Sequence, residues 1–215
     1  MAKAIRIHQT GGPEAMVWEE VEVPRPGPAE ALVRHTAIGV NFIDVYHRTG
    51  LYPLPSLPHV LGMEAAGVVE AVGDGVVEVR PGDRVAYANP PVGAYAERRV
   101  MPADRLVPLP EGIGDQQAAA MMLKGMTAQY LLRRTFRVGG GDTVLVHAAA
   151  GGVGLILCQW AKHLGATVIG TAGSEAKAEL ARAHGCDHTI IYTREDFVAR
   201  TRALTGGEGV AVVYE

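Results

Sequence analysis

The sequence predicts an α/β protein in two parts, a small β-domain and then a doubly wound parallel sheet. Three observations carry this. Residues 1 to about 120 hold many short apolar or alternating runs broken by Gly and Pro. From Asp115 the apolar spacing turns helical. From Thr143 strand-like and helix-like runs alternate as β-α-β-α-β-α-β. The boundary is expected at residues 124/125, giving domains 1–124 and 125–215.

In the first part, Ala4–His8 and Val17–Val23 alternate as strands, with Gly11-Gly12-Pro13 turning between them. Glu30–Gly39 reads as a longer strand; Val68–Val72, Arg84–Tyr87, Gly93–Val100 and Leu106-Val107 read as further strands. Pro81-Gly82-Asp83 is a turn, with fixed φ at the proline and a permissive glycine after it. The pattern is that of a barrel-like or sandwich-like β-domain. Two stretches interrupt it. Asn41–Arg48 has helical spacing and ends before Gly50, and Leu51–His59 is a proline-rich loop carrying Tyr52.

In the second part, Gln116–Met122 and Thr127–Phe136 read as two helical stretches. Thr143–His147 is an apolar, β-branched run suited to a strand buried on both faces. Ala148–Gly154 follows with almost no side-chain bulk, then a helix over Leu155–Leu164 capped by Gly165. Ala166–Thr171 is the second strand, a helix follows Ser174, and Thr189–Tyr192 is the third strand. A helix over Glu195–Leu204 and a strand over Val210–Tyr214 close the series. A sheet of this type has about six strands. With four in hand, the chain is expected to be truncated at its C-terminus.

Composition bounds the function. Of 215 residues, 48% are apolar and 20% charged, which suits a packed core. The net charge of −3 gives no electrostatic pull toward nucleic acid or an anionic membrane. No run is apolar enough to span a bilayer, and no secretory leader is visible. Two cysteines, Cys158 and Cys186, do not make a disulfide framework and fit a reducing cytoplasm; Cys158 reads as a small buried thiol.

The glycine turn carries the chemistry. Gly151, Gly152 and Gly154 lack Cβ atoms, so the backbone can bend tightly and approach a ligand. The helix that follows offers unsatisfied amides at the positive end of its dipole, which favours a phosphate. The spacing is that of the dinucleotide fingerprint, with Ala148 in place of its first glycine. A plain tight connection is the alternative. The second strand ends in Thr171-Ala172-Gly173-Ser174 with no acid at its tip, whereas NAD sites use an acid there for the ribose. Glu175 should open the next helix and point elsewhere. Lys177, one turn into that helix, can reach a 2′-phosphate, and Tyr192 can offer it a hydroxyl. These features favour NADPH over NADH.

Four stretches also match a family: Gly39–Tyr46, Leu61–Gly67, Leu123–Ala128 and His147–Gly154. The chain resembles the zinc-independent quinone oxidoreductases of the medium-chain dehydrogenase/reductase superfamily over its whole length. The resemblance implies a GroES-like β-domain followed by a Rossmann domain, a homodimer in the full-length family, and NADPH as cofactor. It implies 2′-phosphate contacts at Gly173, Lys177 and Tyr192, with Ser174 beside them, and pyrophosphate contacts at Ala150, Gly151, Gly152 and Val153. It places Asn41, Phe42 and Thr127 at the nicotinamide end, and Asn41, Tyr46 and Tyr52 as the catalytic and substrate-lining side chains. Asp44 shares the turn with Asn41, where an acid also stabilises the helix dipole. Zinc-dependent relatives carry cysteine at the Asn41 position and histidine at the Met63 position; neither replacement is a good zinc ligand. The cluster His184-Gly185-Cys186-Asp187-His188 has ligand-type residues but lies at a helix-to-strand junction.

The expected reaction is metal-free reduction of quinones or conjugated enones from reduced nicotinamide. A truncated, non-catalytic nucleotide-binding fragment is the alternative. Single-stranded nucleic-acid binding, a side role in some members of the resembled family, is a third reading that the acidic net charge argues against.

Overall fold

A computed structural model describes residues 1–215. The chain divides into two compact units, Met1–Leu123 and Lys124–Glu215.

The first unit holds two antiparallel sheets. β1 (Ala2–Ile7) pairs β2 (Met16–Val21) on one side; later in the chain come β3 (Glu30–Gly39), α1 (Phe42–Thr49) and β4 (His59–Val60), and β4 pairs the other side of β1. Then follow β5 (Glu64–Val72), β6 (Arg84–Ala88), β7 (Arg98–Pro102) and β8 (Val107–Pro108), with β3 making a five-stranded sheet of order β7-β3-β5-β6-β8. Alternation in β3 buries Ala31 and Val33, which pack with Ala65, Val69, Val85, Tyr87 and Met101.

Two strand expectations change. Gly93–Val100 is not one strand, because residues 93–97 change partners along their length. Tyr95 exchanges backbone bonds with Leu61 and Ile5, the Glu97 N–H donates to Lys3, and its carbonyl accepts from His35. No single ladder forms, and β7 starts only at Arg98. β5 starts at Glu64, ahead of the expected Val68, although Ala65-Ala66-Gly67 has poor strand propensity. Close packing explains it: a Cβ on Gly67 would lie 2.3 Å from the Arg34 carbonyl oxygen, and Ala66 packs with Ala86, Ala118 and Ala119.

α2 (Asp115–Tyr130) is one helix where two were expected, and the division between units falls inside it. Gly125 is accommodated within the helix, at about 1 kcal/mol relative to alanine. A π-helical turn, Leu131–Thr135, ends the run and buries Leu132.

The second unit is a parallel sheet. β9 (Thr143–Val146), α3 (Gly152–His163), β10 (Thr167–Ala172), α4 (Glu175–Ala183), β11 (His188–Ile191), α5 (Phe197–Leu204) and β12 (Val212–Tyr214) follow in turn. The strand order is β11-β10-β9-β12, so the winding direction reverses between β9 and β12. In such sheets ligands bind beyond the carboxyl ends of the strands at that reversal. Val144 and Val146 are fully buried and pack with Leu157, Cys158, Ala161 and Val168. α3 begins at Gly152, three residues before the expected Leu155, and Gly165 caps it at φ 87°. No helix is long and apolar enough to cross a membrane.

A buried polar network ties the first unit's sheet to the 93–97 segment. His35 Nδ1 lies 2.6 Å from the Ala96 carbonyl and must donate to it, so Nε2 accepts from the Tyr87 hydroxyl at 2.9 Å. Burial lowers the His35 pKa to about 4, with the Arg99 charge adding to the shift. The neutral ring is therefore the form folding requires. Stability is fully present above pH 6.5 and declines as pH falls from 6.5 toward 4, by up to about 3 kcal/mol. Urea midpoints at pH 7 and pH 4.5 should separate more for the native chain than for His35→Gln; equal separations would remove the histidine from the acid response.

Candidate functional site

Beyond the carboxyl ends of β9, β10 and β11 lies a cavity of ≈520 Å³. His147, Ala150, Gly151, Gly173, Lys177 and Tyr192 are on its wall. The turn after β9 builds one side. Its left-handed residue is Ala148 at φ 48°, and the glycines do not take positive φ there. Gly151 is extended (φ −79°, ψ 169°), and Gly152 and Gly154 are already helical. Their value is therefore the missing Cβ and not a special backbone conformation. A Cβ on Gly154 would meet the Ala148 oxygen at 2.3 Å and the Ala149 Cα at 2.9 Å. One on Gly151 would stand 3.0 Å from the Ala148 oxygen.

The Gly151 N–H donates to Ala148 at 2.7 Å, and the first intrahelical bond runs from the Leu155 N–H to the Gly151 carbonyl at 2.9 Å. The amides of Gly152, Val153 and Gly154 thus form the leading edge of α3, where the dipole favours an anion. Ala150 and Gly151 reach the cavity wall, while Gly152 and Val153 are not on it.

The other side is the end of β10. Ser174 caps α4 by accepting from the Lys177 N–H at 3.4 Å. A Cβ on Gly173 would stand 2.7 Å from the Tyr192 hydroxyl, so only glycine lets that phenol lie across the strand end. Tyr192 is 55% exposed and Lys177 is exposed. Glu175 turns away from the cavity and pairs with Arg182 at 3.0 Å and Arg194 at 3.6 Å. Ser174 flanks the cavity without lining it, and Thr127 sits half-buried on α2, off its wall.

The remaining site candidates belong to the first unit and gather on α1. Asn41 is its N-cap and is buried. Its N–H donates to Asp44 Oδ2 at 2.9 Å, and its side-chain Nδ2 donates to Glu64 Oε1 at 2.8 Å. The Tyr95 hydroxyl donates to the same Asp44 oxygen at 2.7 Å. Phe42, Tyr46 and Tyr52 form an aromatic row: Phe42 meets Tyr46 edge-on at 5.3 Å, and Tyr46 meets Tyr52 at 5.2 Å. The Tyr52 N–H donates to the Tyr46 carbonyl at 3.1 Å, fixing the proline-rich loop to the helix end. Phe42 and Tyr52 present exposed ring surface.

The His184–His188 cluster does not converge. His184 bonds the Leu180 carbonyl, Asp187 pairs with Lys162, and Cys186 turns inward to within 3.3 Å of the Cys158 sulfur. No group of three or more His, Cys, Asp or Glu in the structure could hold a metal ion.

Two family models match the chain: the alcohol dehydrogenase GroES-like domain over residues 27–111 and the zinc-binding dehydrogenase over residues 152–215. A GroES-like unit followed by a parallel dinucleotide-type sheet is the domain plan of the medium-chain dehydrogenases/reductases. Within that superfamily, the chain belongs to the quinone oxidoreductase family. It is 54% identical to a quinone oxidoreductase of Pseudomonas aeruginosa over all 215 residues, 66% of that protein. It is 53% identical to a 2-haloacrylate reductase of a Burkholderia species, again covering 66% of it. The crystal structure of Escherichia coli quinone oxidoreductase complexed with NADPH superposes with a TM-score of 0.97 at 50% identity, covering all of this chain and 66% of that one. The chain thus spans just under two thirds of the length of these relatives.

Five cavity residues escaped the sequence reading: His147, Thr171, Ala172, Phe197 and Glu215. The first three are strand-end residues, which a rule about the carboxyl ends of parallel strands could have found. His147 is held by Thr171 at 2.9 Å and by the ring of Phe197, edge-on at 5.0 Å. No sequence signal points to Phe197. Glu64 escaped as well, though an acid inside the apolar run Leu61–Gly67 is itself a signal.

Burial raises the pKa of Asp44, against the hydrogen bonds from Tyr95 and Asn41 and the charge of His47. Both donors use Oδ2, and Oδ1 is buried without a hydrogen-bond partner. In Asp44→Asn the amide oxygen can keep both bonds while the buried charge disappears. The variant should be the more stable of the two at pH 7. The gap should narrow as pH falls through the raised Asp44 value, because the native carboxyl then takes up its proton. Thermal melts across pH 4–7 check this, and a gap that widens on acidification contradicts it.

Proposed function

We propose that this chain serves the NADPH-dependent reduction of quinones or conjugated enones. The observation that carries the reading is the cavity at the strand ends. α3's leading amides approach it on one side, and Gly173, Lys177 and Tyr192 stand on the other with no acid at the strand tip. The residues fit a phosphorylated dinucleotide on physical grounds. A bare edge at Gly151 admits a pyrophosphate over a helix N-terminus, with Ala150, Gly152 and Val153 supplying the surrounding backbone. The Lys177 ammonium and the Tyr192 hydroxyl suit a 2′-phosphate, next to Gly173 and the Ser174 cap. Glu175 is paired away from the ribose end, and the acid on the cavity wall is Glu215, which follows β12.

Reduced nicotinamide, when bound, supplies the hydride. The chain's residues bind, orient and shield. In this reading Asn41, Phe42 and Thr127 serve the nicotinamide end. The phenols of Tyr46 and Tyr52 stack on a planar acceptor and donate to its carbonyl as charge develops on that oxygen. Asn41 completes the catalytic group through its amide. The 2-haloacrylate reductase among the relatives supports extending the acceptor class to conjugated compounds other than quinones. A homodimer and a cytoplasmic setting belong to the same reading; the two unbridged thiols agree with a reducing compartment. The reading needs no bound metal.

The deciding experiment mixes the purified chain with NADPH and a simple quinone and follows loss of nicotinamide absorbance. Turnover supports the reductase. Saturable NADPH binding without turnover selects a nucleotide-binding role alone. Lys177→Ala should weaken NADPH by about tenfold to a hundredfold and leave NADH nearly unchanged; equal losses for both cofactors would remove Lys177 from the 2′-phosphate site. Gly151→Val should abolish measurable affinity for both nucleotides; its φ and ψ suit any residue, and a thermal melt of the variant measures what the 3.0 Å approach of the new Cβ to the Ala148 oxygen costs the fold. Retained affinity would move the pyrophosphate elsewhere.

A further inference from the structure

We infer that His147 donates a hydrogen bond to the 3′-hydroxyl of the ribose that carries the 2′-phosphate, and that Thr171 fixes the tautomer able to do so. The inference rests on the proposed NADPH reading for the identity of the ligand. Its geometry comes from the sheet. In the β9/β10 register Val146 lies beside Gly170, so His147 and Thr171 are the next residues along two adjacent strands. Alternation puts their side chains on the face where Leu145 and Ile169 pack with Leu204 of α5. There the His147 ring meets Phe197, the first residue of α5, edge-on at 5.0 Å. The His147 backbone is pinned as well, its N–H donating to the Tyr214 carbonyl at 2.8 Å.

Thr171 is 1% exposed, and its hydroxyl has one partner, His147 Nδ1 at 2.9 Å. A hydroxyl and a neutral imidazole each carry one proton, so two arrangements are open. If Nδ1–H donated to Thr171, the buried O–H would be left without an acceptor, the costlier arrangement. With Thr171 donating to Nδ1 that cost disappears, and the ring proton sits on Nε2. Nε2 has no partner in the protein and is not sealed off. It is an N–H donor on the cavity wall.

The ribose follows from the chemistry of the ligand. In NADPH one ribose bears the 2′-phosphate and leads through its 5′-carbon to the pyrophosphate. Gly173 and Lys177 stand after β10, and the bare edge at Gly151 stands after β9. The sugar joining the two phosphate groups therefore passes over the ends of those strands. Of the side-chain donors on the wall, Lys177 and Tyr192 serve the 2′-phosphate and the Thr171 hydroxyl is engaged by His147, which leaves His147 for the sugar. With its 2′-oxygen esterified, that sugar has one free hydroxyl, at the 3′ position.

The test uses the full chain. With a ¹⁵N-histidine label at pH 8, His147 is the imidazole resonance lost in His147→Asn. It should show a bare Nδ1 and a protonated Nε2; the proton on Nδ1 overturns the inference. Binding is then read as a cycle of ligand against variant, with NADPH and 3′-deoxy-NADPH as probes. The native chain should bind the deoxy compound about tenfold more weakly. His147→Asn keeps an acceptor for Thr171, because its amide oxygen falls where Nδ1 stood, and lacks the outer N–H. The double variant His147→Phe/Thr171→Val removes both partners of the buried bond together, so no hydroxyl is orphaned. Each should melt near the native temperature, bind NADPH about tenfold more weakly and bind the two probes alike. A deoxy penalty absent from the native chain, or undiminished in the variants, overturns the contact. A donor serving either phosphate group would give that second result, since both probes then weaken together. The native spectrum and the native pair of affinities decide without any substitution if the variants fail to fold. A native chain that binds neither probe brings down the NADPH reading and this contact together; binding without a deoxy penalty brings down the contact alone.

Discussion

The second unit depends on one close approach, that of α3 to the turn after β9. The contact at Gly154 leaves no space for even a methyl group between the helix and the Ala148 carbonyl. Because the chain passes so tightly, the helix N-terminus ends at the carboxyl edge of the sheet, and its leading amides reach the strand ends. The same compactness places Ala148 in a left-handed conformation, which costs an alanine on the order of 1 kcal/mol. That cost is borne by a core packed from both sides: β9 is buried by Leu157, Cys158 and Ala161 of α3 on one face and by Ile169, Ile190 and their neighbours near the other. Small residues recur for this reason, and Gly170 is a second case, with Ala149 and the Cys186 sulfur both 2.6 Å from where its Cβ would be.

In the first unit the organising interactions are polar and buried. Two carboxylates hold the start of α1, Asp44 through the backbone of Asn41 and Glu64 through its side chain. A third polar group, His35, joins the sheet to the segment that crosses between the two sheets. Buried polar groups of this kind are costly unless satisfied, and when satisfied they specify one arrangement. The segment at residues 93–97 shows the effect. It has no ladder of its own, yet its backbone is bonded to Lys3, Ile5, His35 and Leu61, and its Tyr95 hydroxyl reaches Asp44.

Much of the architecture was legible because burial leaves a periodic trace. Glu30–Gly39 has the strand bounds that its pattern predicts, and Asn41 and Gly50 mark the two ends of α1. The reading failed where packing replaces periodicity. Ala65-Ala66-Gly67 lies ahead of the strand expected at Val68–Val72 and belongs to β5, because its neighbours leave no room for larger side chains. Gly125 lies between the two expected helical stretches and inside the single helix α2. Thr171 and Phe197 reach the cavity from separate elements, and no local pattern links them to His147.

By itself the sequence determined the order of elements, the division into a β-rich and an α/β part, and the family, since each is written in local spacing and in short matching stretches. The tertiary structure decided what the glycines after β9 are for, which carboxylates face the N-cap of α1, and where Glu175 points. Those outcomes hang on distances between atoms far apart in the chain. A sequence states which groups are present, and only the folded backbone sets which of them come within hydrogen-bonding or van der Waals reach.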